Sequence, residues 1–163
     1  MIELELIDKQ HKALQNYFTS LKSLKDLNIL INQKDFTSQL GEWIIAELYG
    51  AKLATNGKQK DWDMKINNEL IQVKSHAKAT TTKREDTDFK YKENAEINTF
   101  VIVVFNDSYK LKNIYKLPWN EAFRLKTISE KNPVIRWKDI EDIYKLNLEK
   151  IAMEKPFLKI FLK

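Results

Sequence analysis

Asp61-Trp-Asp-Met-Lys-Ile-Asn-Asn-Glu-Leu-Ile-Gln-Val-Lys74 reads as two strands joined by a turn. Met64, Ile66, Ile71 and Val73 are apolar and alternate with polar residues, the period of a strand with one buried face. Asn67-Asn68 supplies the turn, because asparagine tolerates the left-handed backbone that tight hairpins need. If those two residues are the loop, Ile66 faces Glu69, Lys65 faces Leu70 and Met64 faces Ile71. Asp63 then faces Gln72, and Asp61 faces Lys74 at the fraying end. Directly opposed side chains lie about 5 Å apart and share a face. An acid, an amide oxygen and an amine therefore converge at Asp63, Gln72 and Lys74. That is a donor set for a divalent cation and an activated water. A slip of one residue in register would scatter it.

The chain has 163 residues, enough for one domain with a substantial core. Hydrophobic residues make up 43% and charged residues 31%, a globular balance. There is no cysteine, which excludes a disulfide framework, a thiolate zinc site and a cysteine nucleophile. No signal peptide and no run of about 20 apolar residues is visible, so the expectation is a cytoplasmic protein with no membrane partner. The net charge is +5 and the pI is near 9.2, which suits a polyanion.

Ile7 to Asn32 carries Leu14, Tyr17, Phe18, Leu21, Leu24 and Leu27, spaced by three or four residues. This predicts an amphipathic helix with a break near Asp26. A packing helix with a solvated lysine face is expected; a DNA-facing or dimerising helix is the competing reading. A second helix is expected from about Phe36 to Tyr49. Asp35 or Thr37 caps its start, and Gly50 closes it. Gly41 lies inside it, where glycine costs up to about 1 kcal/mol against alanine, so another backbone should approach there. Glu42 and Glu47 fall about 140° apart on the wheel, so they cannot both face one site. The wheel puts Glu47 among Leu40, Trp43 and Ile44, on the apolar arc.

Gly41-Glu42-Trp-Ile-Ile-Ala-Glu-Leu-Tyr-Gly50, then Trp62-Asp63-Met64, then Ile71-Gln-Val-Lys-Ser75 together resemble the PD-(D/E)xK nuclease superfamily. The likeness covers about residues 41 to 75, and the order of elements to about Trp119 is compatible with it. It implies a restriction-endonuclease-like core filling a single domain, residues 1–163, with an N-terminal helical segment. It implies a catalytic set of Glu42, Asp63, Gln72 and Lys74. Gln72 stands where the superfamily more often has a second acid, and no proline precedes Asp63. Between the two acids of the helix, the resemblance assigns the role to Glu42. Gly41 beside it lets the helix start come close to the sheet.

Phosphodiester hydrolysis needs a cation that polarises the phosphoryl oxygen and acidifies water. Mg²⁺, with Mn²⁺ as a substitute, takes oxygen ligands and keeps several waters. Asp63, the Gln72 oxygen, the Val73 carbonyl and Glu42 are the expected ligands. Lys74 would orient the attacking water and offset phosphate charge. Read alone, Asp63 and Lys74 also describe a solvent-facing cross-strand pair worth under about 1 kcal/mol; the flanking pattern favours the nuclease.

The polar run after Lys74 offers Ser75, His76, Lys78, Lys83 and Arg84 as contacts to phosphates. Phe100-Val-Ile-Val-Val-Phe105 reads as a central strand buried on both faces. Lys110 to Leu117 reads as the next strand, and Pro118 starts a helix from Trp119 to about Ile128. Val134 to Trp137 is a short strand, and a helix is expected from about Asp139 to Met153. This order indicates an α+β (mixed α/β) fold, a mixed central sheet flanked by helices. The expected function is a metal-dependent DNA endonuclease, of the restriction or defence kind. A catalytically inactive nucleic-acid-binding domain on the same fold is the alternative. One such site cuts one strand, so double-strand cutting would need a homodimer or two events.

Overall fold

A six-residue run with no polar side chain, Phe100 to Phe105, belongs in the middle of a sheet covered on both faces. In the computed structural model this is β5 (Thr99–Phe105), and every one of its residues is buried. The structure describes residues 2–31, 35–54, 61–77, 79–128 and 132–162. β5 pairs in parallel with β3 (Glu69–His76), from Ile71 opposite Thr99 to His76 opposite Val104. On its other side it pairs antiparallel with β6 (Leu111–Pro118). β2 (Met64–Ile66) and the short β1 (Lys52–Leu53) complete a mixed sheet of order β1-β2-β3-β5-β6. The fold is α+β, with helices flanking that sheet.

The hairpin has the expected register: Met64 opposite Ile71, Lys65 opposite Leu70 and Ile66 opposite Glu69. Asn67 takes the left-handed conformation at φ 51°. Alternate residues of β5 then feed two cores. Val101, Val103 and Phe105 join Leu40, Ile44, Ile45 and Leu48 of α2 (Phe36–Tyr49), together with Leu158 and Phe161 from the C-terminus. Phe100, Ile102 and Val104 face Phe89, Ala122 and Ile135 on the opposite side. Ala122 belongs to α4 (Trp119–Leu125), a turn shorter than its sequence suggests. The chain between β3 and β5 holds α3 (Ala79–Thr82) and β4 (Asp86–Asp88). β4 pairs with β7 (Val134–Arg136) as a separate ribbon.

α2 is delimited as its ends require. Asp35 accepts from the Ser38 N–H at 3.1 Å, and Gly50 closes the helix at φ 65°. Gly41 lies against β3: a Cβ built there would meet Ser75 Oγ at 1.9 Å and Ser75 Cβ at 2.9 Å. The close approach is therefore to a strand side chain rather than to backbone.

Two expectations are overturned. α1 (Ile2–Asp26) forms and ends at Asp26, but this chain does not bury its apolar stripe. Leu14, Tyr17 and Phe18 are 51%, 58% and 60% exposed, and only Leu21 and Leu24 are half-buried. Both faces of the sheet are already covered by other elements, which leaves the helix no face to pack on. The helix expected from Asp139 to Met153 is broken into a 3-10 turn at Asp142–Tyr144 and α5 (Leu148–Glu154). Leu146 N–H donates to the Ile114 carbonyl at 2.9 Å, and Lys145 bridges Tyr115. The edge of β6 thus recruits this segment as extended chain, and α5 restarts with Asn147 capping Lys150 N–H at 2.9 Å.

The Gly41 contact sets a sharp test. Rotating the Ser75 hydroxyl away leaves its Cβ in place, so Gly41→Ala should lose about 1–2 kcal/mol despite alanine's better helix propensity. Phe18→Ser on exposed α1 should stay within about 0.5 kcal/mol. Urea unfolding of both variants measures the contrast.

Candidate active site

Asp63 precedes the paired part of β2, and the ladder changes there. Its N–H donates to the Ile71 carbonyl at 2.8 Å, although Ile71 stands opposite Met64. The carboxylate then takes over the next bond of the ladder. Asp63 Oδ2 accepts from Val73 N–H at 2.7 Å and from Gln72 Nε2 at 2.5 Å. Gln72 Nε2 also donates to the Val73 carbonyl at 3.2 Å. So Asp63 and Gln72 do meet, through the amide nitrogen. Asp61 lies before the paired residues of β2, which begin at Met64; it borders a cleft with Lys90, Tyr91, Lys92 and Glu96.

The two helix acids separate cleanly. Glu47 is exposed and Glu42 is half-buried, the reverse of the wheel. The wheel fails because α2 is packed over more than one arc: Ile44, Ile45 and Ala46 are all buried. Burial pushes Glu42 up to about 7, with the charges of Asp63 and Asp35 adding to the rise and Lys74 opposing it. Burial also raises Asp63, against the Val73 N–H, Lys74 and the Gln72 amide. Glu42, Asp63 and Lys74 therefore form one electrostatic cluster, gathered from α2, the β2 entry and β3. Lys74 Nζ lies 5.6 Å from the centre of the Tyr91 ring. Tyr91 is fixed by Phe89, Phe100 and Trp119, with ring centres 5.4, 5.9 and 5.7 Å away. Sequence reasoning missed Tyr91. The only available signal was an aromatic between Lys90 and Lys92 in a segment of uncertain structure.

The residues expected to touch phosphates fare differently. Ser75 is still in β3, and its Oγ is buried without a hydrogen-bond partner, facing Gly41. His76 Nε2 pairs with Thr87 Oγ1 at 2.9 Å, and its ring packs on Trp137 with centres 5.4 Å apart. Burial lowers His76 to about 4, so it is neutral at pH 7 and offers no charge to a phosphate. Lys78 lies outside the described residues. Lys83 is exposed, in a left-handed conformation at φ 51°. Arg84 is engaged by Asp86 and Asp88, both at 3.2 Å.

Among the described residues no three His, Asp or Glu side chains gather as a metal cage. The donor set nonetheless suits a hard cation. Asp63 Oδ2 and the Val73 carbonyl converge on one electropositive group, the Gln72 amide nitrogen. Of the two half-buried carboxylates, Asp63 raises the cost of ionising Glu42. Both features are ones that a divalent cation with oxygen ligands would relieve. No protein-family model matches the chain, and no curated protein is significantly similar to it.

Glu42 gives a pH signature. Its folded value, about 7, lies above its ordinary 4.5. Between those limits the folded protein keeps a proton that the unfolded chain releases, so stability falls as pH rises through the window. Glu42→Gln should therefore be more stable than the parent at pH 8, on the order of 1 kcal/mol after solvent screening. At pH 4 the two should be equal. Denaturant titrations at both pH values, without metal, decide it; an equal difference at both would place the effect elsewhere. Saturating Mg²⁺ should reverse the order at pH 8, because the carboxylate then has a partner.

Proposed function

We propose that the chain is a Mg²⁺-dependent deoxyribonuclease of the PD-(D/E)xK type, hydrolysing phosphodiester bonds of DNA. One observation carries the reading: Asp63, the Gln72 amide and the Val73 carbonyl meet at one point, with Glu42 and Lys74 coupled to the same carboxylate. Asp63, the Val73 carbonyl, Glu42 and Gln72 with its amide turned over would hold the cation. The cation would supply Lewis acidity toward the phosphoryl oxygen and lower the pKa of a bound water. Lys74 would orient the attacking water and offset the charge that builds on the phosphate. Tyr91 limits where the Lys74 side chain can lie, because aromatic neighbours fix its own ring. A restriction or defence role, a cytoplasmic location and Mn²⁺ as a substitute metal belong to the same proposal. Among the described residues no helix is long and apolar enough to cross a membrane. A homodimer would cut both strands in one encounter, and the exposed apolar stripe of α1 is a surface that a second copy could cover.

The alternative, an inactive nucleic-acid-binding domain, has one observation in its favour. Asp63 Oδ2 is already satisfied by two N–H donors of its own chain. Plasmid nicking with Mg²⁺, Mn²⁺ or Ca²⁺ separates the two. Lys74→Ala should bind DNA as the parent does and cleave it roughly 10²- to 10⁴-fold more slowly, the range of a positioned group acting on the water. Parent protein that binds DNA without nicking it would leave the binding domain. Calorimetry should show Mg²⁺ binding lost in Asp63→Ala; retained binding would take Asp63 out of the metal site.

A further inference from the structure

The β4–β7 ribbon pairs Asp86 with Arg136, Thr87 with Ile135 and Asp88 with Val134. Thr87 and Ile135 point inward and are fully buried. Beside the ribbon opens a cleft of about 630 Å³ walled by Lys83, Arg84, Arg136 and Lys138, with Glu85 and Asp86. Four cations face two carboxylates there. Arg84 is held in place by its own neighbours: Nε donates to the Asp86 carbonyl at 2.9 Å, and Nη2 lies 3.2 Å from Asp88 Oδ2. Lys83 and Lys138 are exposed.

The ribbon is not loosely attached. Trp137 Nε1 donates to Thr87 Oγ1 at 2.8 Å, and the same hydroxyl meets His76 Nε2 at 2.9 Å. An indole is only a donor, so the Thr87 oxygen accepts from it and its own proton is free for His76. A neutral His76 accepts that proton at Nε2. This chain of buried contacts locks the ribbon to the end of β3. Gln72, Lys74 and His76 alternate along β3 and share one face. Lys74 and His76 are thus roughly 6.6 Å apart along the strand.

From this juxtaposition we infer that the cleft walled by Lys83, Arg84, Arg136 and Lys138 seats the phosphodiester backbone of duplex DNA beside the Lys74 end of the candidate active site. The inference rests on the nuclease reading and adds to it two cations from β7 and its exit, far from Lys83 and Arg84 in sequence. The open, lysine-rimmed shape suits an extended polyanion: point charges on flexible stems track a backbone and read no base. It also moves the contact surface. The phosphate track runs over the ribbon, and Ser75 and His76 serve the packing beneath it.

Fluorescence anisotropy on a labelled duplex, in Ca²⁺ over a range of salt, tests it. Each lost phosphate contact lowers the slope of log K against log salt by about 0.9. Lys83→Ala/Lys138→Ala should therefore lower the slope by about 2 and weaken binding at least 10-fold near 0.1 M salt. Lys150→Ala/Lys155→Ala removes the same charge from the C-terminal surface and should change the slope by less than half as much. Lys83→Glu/Lys138→Glu should weaken binding further, and thermal melts confirm that each variant is folded. Equal slopes for the two alanine pairs would overturn the inference, as would tighter binding of single-stranded RNA than of the duplex. Parent protein that binds DNA through this cleft but does not nick it would leave the inference standing and remove the nuclease reading. Parent protein that binds no DNA would remove both.

Discussion

The parallel pairing of β3 with β5 constrains everything around it. Parallel strands need a long crossover, and both faces of the pair must be covered. β5 carries no polar side chain between Thr99 and Phe105, so no face of it can be left to water. One face takes α2 and the C-terminal segment, and the other takes α4 and the aromatic cluster around Phe89. The crossover between β3 and β5 is long enough to hold α3 and β4. With both faces filled, α1 finds no place on the sheet, and its apolar stripe stays exposed.

The same pairing fixes the candidate site. β3 sits between β2 and β5 with hydrogen bonds on both edges, so the alternation of Gln72, Lys74 and His76 cannot slip without moving the core. The site then forms where regular pairing stops. At Asp63 the backbone leaves the ladder, and the carboxylate takes the Val73 N–H in place of a carbonyl. A side chain that substitutes for backbone in this way is held as firmly as the sheet. Gly41 supplies the other half. With no Cβ to fend off Ser75, α2 can lie close enough for Glu42 to feel Asp63.

That closeness has an electrostatic cost. Both carboxylates are raised chiefly by withdrawal from water, the charge of Asp63 adds to the rise at Glu42, and Lys74 only partly compensates. Glu42 near 7 and His76 near 4 are both driven chiefly by burial, but they serve different ends. Glu42 belongs to a cluster short of positive charge. His76 pairs with Thr87 through Nε2, packs on Trp137 and acts as a neutral strut. Strong displacement of a pKa marks both alike; only the partners distinguish an unbalanced site from a satisfied core.

Local physics made several elements legible without any structure. The hairpin register followed from strand alternation and Asn67-Asn68, β5 from its unbroken apolar run, and α2 from Asp35 and Gly50, because each depends on residues close in sequence. Glu42 against Glu47 could not be decided on a helical wheel, since a helix buried on several sides has no single apolar arc. The exposed α1 stripe, the broken C-terminal helix and the inward turn of Ser75 and His76 were equally hidden. Each depends on which surface was already occupied when that segment packed. The sequence by itself determined the β2–β3 hairpin, β5, β6, β7 and the residue types at the candidate site, but neither β1 and β4 nor the order of strands in the sheet. Only the tertiary structure decided which charges meet, because Tyr91, Arg136 and Lys138 reach their neighbours across the crossover and the ribbon, where sequence distance carries no information.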